Sequence, residues 1–236
     1  MDTQTRHALK GDKFAQATKT SVTWLSGHRS GVMRWVVSVA VVILLGAGFL
    51  IFWNIKATAA NVALGAALDT YGASLAEPGA PAQQGVYATA AERSKAANQQ
   101  FSAIAQQYGW LPEGNKARYF AGVTSQELGQ TATAEAELKK AADSWDHNLS
   151  NLAKLALANV YRQTGRDAQA IDIYNAIIAK PSETVSAGVA QLNLADLYVA
   201  TGKQDQARAL WAKVKDSDKD GAAGSIAAQK LAGGNQ

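Results

Sequence analysis

The apolar positions of this chain follow two different patterns, one before and one after Lys56. From Trp35 to Trp53, nineteen residues follow one another without a charge, in the run WVVSVAVVILLGAGFLIFW. At about 1.5 Å of rise per residue this run predicts about 28 Å of helix, close to the roughly 30 Å of hydrocarbon in a bilayer. After Lys56 the residues favour helix, and no run of alternating β-branched residues predicts a sheet. The pattern predicts one transmembrane helix followed by an all-α domain.

Within the second pattern the chain repeats itself at an interval of 37 residues. The stretch ANVYRQTGRDAQAIDIYNAII, residues 158–178, resembles ADLYVATGKQDQARALWAKV, residues 195–214. Both copies carry an aromatic residue, a glycine, an alanine and a second aromatic residue at equal offsets; these are Tyr161, Gly165, Ala170 and Tyr174, and Tyr198, Gly202, Ala207 and Trp211. Such self-similarity indicates a stack of helical units, because each unit exposes an apolar face that only its neighbour covers.

A weaker third copy precedes these two, with Gly122, Gly129, Ala134 and Leu138 at the same offsets. Further back, Ala97 and Phe101 match the second half of a unit whose first half is not recognisable. We expect each glycine that separates the two helices of a unit to end a helix with a positive φ. We expect the alanines at 134, 170 and 207 to lie where two helices cross closely, and the aromatic residues to pack between helices.

The remaining helix boundaries follow from proline and glycine. We expect a helix from about Thr58 to Leu75, a break at EPGAP, residues 77–81, and a helix from about Tyr87 to Tyr108. The segment 109–112 ends this second helix. The final AAGSIAAQKLAGG predicts a short capping helix.

The distribution of charge distinguishes a basic N-terminal tail from the rest of the chain. Residues 1–34 contain six basic and two acidic residues, whereas the rest contains 17 of each. A neutral folded part argues against nucleic-acid binding, and a basic flank is retained in the cytoplasm. We therefore expect a cytoplasmic basic tail at 1–34, a transmembrane helix at 35–55 and an extracytoplasmic helical domain at 56–236. The alternatives are a buried core helix and a signal peptide cleaved at Ala57-Thr58-Ala59.

The chain lacks the residues of the common catalytic frames. It has no cysteine, only three histidines, and none of the usual phosphate-binding, metalloprotease or nucleophile-elbow motifs. We expect no enzymatic activity, no catalytic or metal-binding residues, no cofactor and no small-molecule substrate.

These residues carry a resemblance to a known repeat. The pattern Leu157-Ala158-x2-Tyr161-x3-Gly165-x4-Ala170-x3-Tyr174, followed by Pro181, resembles a tetratricopeptide repeat, and residues 191–214 match it again. The resemblance covers roughly residues 90–232. It implies a solenoid of helical hairpins that binds protein segments on the face lined by the first helix of each pair. The positions that the resemblance assigns to that face are Lys116, Tyr119, Val123, Gln126, Leu155, Asn159, Arg162, Leu192, Asn193 and Asp196.

The order of basic tail, single span and helical repeats also resembles the YfgM family of ancillary translocon subunits, which shares its repeat type with the cell-division coordinator CpoB. The resemblance implies a scaffold or chaperone-like adaptor at the outer face of a bacterial inner membrane, beside the protein-export channel, that binds exported clients. A carboxylate clamp is not expected, because Leu155 replaces the lysine that such clamps need. The alternatives are a structural subunit of a larger membrane complex and a surface without a partner.

Overall fold

The computed structural model describes residues 29–76 and 85–233, and within these ranges the chain forms nine α-helices. The predicted break at 77–81 and most of the basic tail lie outside the described residues. The chain divides into two compact parts, and the boundary in the sequence lies between Ile55 and Lys56. We call the second part the helical domain. The predicted all-α class is confirmed.

The first helix, α1, is Arg29–Tyr71, and its residues 29–55 are the described residues of the first part. The large apolar side chains between Trp35 and Trp53 are exposed. Among the described residues, α1 is the one helix long and apolar enough to cross a membrane. A single-pass anchor and a signal sequence both have this length and composition.

The helical domain contains the end of α1 and eight further helices in antiparallel succession. They are α2 (Ala90–Gln107), α3 (Pro112–Glu127), α4 (Thr131–Ala142), α5 (His147–Gln163), α6 (Asp167–Ala179), α7 (Ala187–Ala200), α8 (Gln204–Ser217) and α9 (Ala222–Gly233). The pairs α3/α4, α5/α6 and α7/α8 are the three repeats that the sequence predicts, and we number them 1 to 3. The predicted capping helix is confirmed as α9.

Side-chain caps set several helix starts. Thr89 accepts a hydrogen bond from the backbone of Glu92 at 3.1 Å, so α2 begins at Ala90 and not at Tyr87 as the sequence predicts. Asp146 caps α5, and Ser186 caps α7, in the same way. These caps replace the hydrogen bonds that the first backbone N–H groups of a helix lack.

The three repeat glycines end the first helix of each pair, as the sequence predicts. Gly129, Gly165 and Gly202 have φ angles of 72°, 69° and 75°. A Cβ atom added at any of them would meet no atom within 4 Å. Backbone conformation, and not lack of space, therefore selects glycine at these turns.

The predicted close crossings are also confirmed. Ala134, Ala170 and Ala207 have no exposed surface. In repeat 1, a Cβ added to Gly122 would lie 2.6 Å from Cγ of Leu138. The smaller residue at 122 therefore makes room for Leu138, which stands where repeats 2 and 3 have an aromatic residue.

The half-repeat that the sequence leaves without a partner is completed by the end of α1. Ala60, Leu64 and Ala67 form one buried cluster with Ala97 and Phe101 of α2. The α1 helix ends at Tyr71, before the predicted Leu75, and Tyr71 Oη donates a hydrogen bond of 2.5 Å to Glu127 at the end of α3. The end of α1 is therefore the first helix of an additional pair with α2.

Polar contacts differ between the two junctions that join the repeats. Glu135 of repeat 1 accepts hydrogen bonds of 2.6 Å from Arg166 of repeat 2 and from Lys139. The Arg166 guanidinium also lies 4.4 Å from the ring centre of Tyr161. At the next junction, Ile171 stands six residues after the glycine, as Glu135 does, and it packs against the apolar core.

Candidate functional site

A groove of about 530 Å³ runs across the first helices of the three repeats. We call it the first groove. Its walls come from α3, α5 and α7, near the glycine turns that end these helices. The lining residues are Gln126, Asn159, Arg162, Gln163, Gly165, Asp167, Leu197, Ala200 and Thr201.

Three of the residues proposed from the sequence meet in this groove. Gln126 comes from repeat 1, and Asn159 and Arg162 come from repeat 2. Gln126 and Arg162 hold the same position, three residues before the glycine of their repeat. Amides and one guanidinium can donate and accept hydrogen bonds, so the groove suits the polar backbone of a protein segment.

Tyr174 of α6 lies beneath the polar groove residues of repeat 2, and it has no exposed surface. Tyr174 Oη donates to Asn159 Oδ1 across 3.5 Å. Burial raises the pKa of Tyr174, and the neighbouring Arg162 offsets part of this effect. The phenol therefore stays neutral and available as a donor. A buried side chain that contacts both groove residues restricts their conformations before any partner binds.

Four other proposed residues serve mainly as packing. Tyr119, Val123 and Leu155 are half-buried against the core of repeats 1 and 2, and Leu192 is half-buried against that of repeat 3. Burial raises the pKa of Tyr119, and its ring lies 5.0 Å from that of Phe120 in an edge-to-face arrangement. Truncating these side chains would therefore disturb the core as well as the surface.

The remaining proposed residues lie apart from the first groove. Lys116 is exposed near the start of α3. Asn193 donates a hydrogen bond of 2.9 Å to the carbonyl of Val189 in its own helix. Asp196 accepts a hydrogen bond of 3.0 Å from Lys230 of α9. The structure thus separates the ten proposed residues into groove, core and other surface positions.

Asp196 belongs to a second groove of about 590 Å³, which lies among α7, α8 and α9. Its lining residues are Asp196, Val199, Gln204, Arg208, Trp211, Gln229, Lys230 and Gly233. Three of these are the repeat-3 equivalents of first-groove residues, since Asp196, Val199 and Gln204 stand 37 residues after Asn159, Arg162 and Asp167. The same kind of groove therefore recurs one repeat later.

The second groove differs in its buried aromatic residue. Trp211 takes the place of Tyr174, and its Nε1 donor is buried without a hydrogen-bond acceptor among the described residues. Asp196, which corresponds to Asn159, pairs with Lys230 instead. The two grooves thus have similar walls but different polar contacts.

The sequence proposals did not include six residues of the first groove. These are Gln163, Gly165, Asp167, Leu197, Ala200 and Thr201. All of them lie within five residues of Gly165 or Gly202. The repeat glycines could therefore have indicated these six positions in the sequence, because the groove lies where the first helix of each pair ends.

Metal-binding side chains do not converge in the described ranges, where no group of three His, Cys, Asp or Glu residues could hold an ion.

Comparison with known proteins identifies the repeat type. A family model described as tetratricopeptide repeat-like domain matches residues 32–231. No curated protein and no solved structure matches the chain.

Proposed function

The chain belongs to the tetratricopeptide repeat-like domain family, and from this premise we propose that it is a membrane-anchored scaffold that binds protein segments and has no enzymatic activity. Domains of this family are in general protein-interaction modules built as stacked helical pairs. The observation that carries the proposal is the meeting of Gln126, Asn159 and Arg162, from two repeats, in one groove.

The composition of the groove favours a partner that is bound in an extended or helical form. Arg162 and Asp167 bring one charge of each sign, and the other polar groups are amides and a hydroxyl. Such a surface has no concentrated charge that would select a nucleic acid. It supports moderate affinity for several protein sequences, with Arg162 as the main anchor.

The proposed anchor is the apolar part of α1. The basic residues that precede it favour a cytoplasmic N-terminus, and the helical domain would then lie outside the inner membrane of a bacterium. Residues 57–59, where a signal peptidase site would lie, are within α1. Cleavage there would require this part of the helix to unwind, and for this reason we favour an uncleaved anchor.

The narrower part of the proposal is a role beside the protein-export channel, as the resemblance to the YfgM family implies. It rests on the order of tail, span and repeats. Co-purification from membranes distinguishes two forms of this role. A broad set of exported proteins would support a chaperone-like adaptor, and a fixed set of partners in constant ratio would support a structural subunit.

The test of the groove uses photo-crosslinking in intact membranes. We expect Gln126→Ala with Arg162→Ala to reduce crosslinking from a probe at position 163, because truncation of an anchor typically costs more than about 1 kcal/mol of binding. The melting temperature should change little, since both side chains are partly exposed and line the groove. The matched control is Lys116→Ala with Gln169→Ala, two residues outside the groove. Unchanged crosslinking in the groove variant would contradict the proposal.

A further inference from the structure

We propose that one edge of the helical domain, which carries Trp110 and Trp145, lies on the bilayer surface with both indole rings in the interfacial layer. We call it the loop edge, because it contains the connections α2–α3 and α4–α5. The inference rests on the proposed membrane anchor, and it goes further by assigning a lipid contact to the folded domain.

The two tryptophans hold equivalent positions and are both turned outward. Each stands two residues before the first helix of a repeat, Trp110 before α3 and Trp145 before α5. Their exposed fractions are 48% and 81%. The equivalent residue before α7 is Val185, which is fully buried. The connection can therefore fold an apolar side chain inward, but in repeats 1 and 2 it leaves a large aromatic ring exposed.

The loop edge lies where the chain enters the helical domain. The hydrogen bond between Tyr71 and Glu127 aligns the end of α1 with the end of α3, and both α1 and α3 pack against α2. Fifteen residues before these two positions stand Lys56 and Pro112. At about 1.5 Å per residue both lie about 22 Å from the aligned ends, so Lys56 is level with the α2–α3 connection.

A second contact gives the same alignment against the antiparallel α2. Thr70 Oγ1 donates to Gln100 of α2 at 3.2 Å. Lys56 precedes Thr70 by 14 residues, about 21 Å of helix, whereas α2 ends at Gln107, about 10 Å beyond Gln100. Lys56 therefore lies beyond the end of α2, on the side of the α2–α3 connection. Because α3, α4 and α5 alternate in direction, the α4–α5 connection with Trp145 lies on this edge as well.

The proposed membrane surface is close to this edge by chain length alone. Trp53, at the end of the apolar run, precedes Lys56 by three residues. Three residues span at most about 11 Å even when fully extended. The interfacial layer on each side of the hydrocarbon is several ångströms thick, and tryptophan is enriched there because its ring is apolar and its N–H is polar.

Charge attraction does not account for the contact. Trp145 stands between the exposed Asp143 and the partly buried Asp146, and Asp146 is engaged in capping α5. An anionic surface would repel these carboxylates. At Trp145 the indole ring, and not the neighbouring charges, therefore provides the contact, and a zwitterionic phosphatidylcholine bilayer should be sufficient.

The experiment uses the full chain in phosphatidylcholine nanodiscs, and the absence of cysteine allows single labels. A nitroxide at Asp143→Cys reports on the loop edge, and one at Gln163→Cys reports on the opposite edge, where the glycine turns lie. We expect the label at 143 to collide with lipid-soluble oxygen more than with a water-soluble nickel complex, and the label at 163 to show the reverse. Added phosphatidylglycerol should not strengthen the contact.

Replacing both tryptophans, by Trp110→Ser and Trp145→Ser, should return the label at 143 to an aqueous environment while the protein stays in the disc. An aqueous signal at 143 with both tryptophans present, in protein that remains inserted, would overturn the inference. A label shielded from both collision partners would also overturn it, because a protein contact would then cover this edge. A chain that fails to insert at all would instead overturn the proposed anchor.

Discussion

Glu135 and Arg166 join two neighbouring repeats through a hydrogen bond of 2.6 Å between the carboxylate and the guanidinium. Lys139 donates to the second carboxylate oxygen at 2.6 Å. The hydrogen bonds from Arg166 and Lys139 lower the pKa of Glu135 from 4.5 to about 2. The carboxylate therefore stays charged in the folded protein at pH values where it is protonated in the unfolded chain.

This relationship predicts a pH-dependent contribution to stability. Because the pKa of Glu135 is lower in the folded state, its contribution is fully present above about pH 4.5 and is lost as the pH falls towards about 2. We expect Glu135→Gln to lower the melting temperature at pH 7 and to melt like the parent near pH 2. Thermal melts across this range measure the difference. The control Glu183→Gln alters an exposed carboxylate in the α6–α7 connection, and an equal response of both variants would contradict the prediction.

The glycine turns predict different costs for different replacements. Gly165 has a φ of 69°, and an added Cβ would meet no neighbour. Gly165→Val should destabilise the domain by about 1–3 kcal/mol, because a β-branched residue tolerates positive φ poorly. Gly165→Asn should cost less, since asparagine adopts this conformation more readily. Chemical denaturation measures both, and equal costs would show that conformation is not the reason for glycine here.

The close helix crossings predict sensitivity to volume. Ala170 and Ala207 are fully buried, so replacing either by leucine should overpack the contact and cost about 1–3 kcal/mol. Ala168→Leu provides a matched control on an exposed position of the same helix as Ala170. Thermal melts of the three variants in detergent give the comparison. If the control lost as much stability as Ala170→Leu, steric crowding at the crossing would not be the cause.

The proposed orientation predicts which parts of the chain are accessible from outside. With single cysteines at Thr18 in the tail and at the exposed Thr133 in α4, a membrane-impermeant maleimide should label only position 133 in cells with a permeabilised outer membrane. Position 18 should react only after the inner membrane is disrupted. The reverse pattern would show the opposite orientation, and a mature chain that begins near Asn61 would show a cleaved signal.

The repeats could be predicted from the sequence because their determinants are local. A glycine with positive φ, a small residue at a crossing and an aromatic residue one turn later all act within one helical pair. Gly165 and Tyr174 therefore identified repeat 2 directly. The end of α1 was not recognised as a first helix. A segment of 18 residues separates Tyr71 from Ala90, whereas one glycine turn separates the two helices of each later pair.

The groove could be predicted only in part, because one face of a helix both lines a groove and contacts the next helix. Tyr119 and Leu155 stand ten residues before their glycines, where the side chain reaches the core. Asp196 follows the same pattern as Asn159, but Lys230 of α9 binds it. No repeat motif marks α9, so the sequence pattern did not indicate that contact.

The difference between the two repeat junctions has a consequence for how the domain responds to its solvent. The Glu135–Arg166 contact is an ion pair at a partly exposed site, and dissolved salt screens it. The corresponding Ile171 contact is apolar, and sulfate or phosphate strengthens it because these ions are excluded from protein surfaces. Rising sulfate concentration should thus weaken the Glu135–Arg166 contact while it strengthens the apolar contacts of both junctions. The packing of Ala134 and Leu138 against the helices of repeat 2 would then hold the first junction, as apolar packing holds the second.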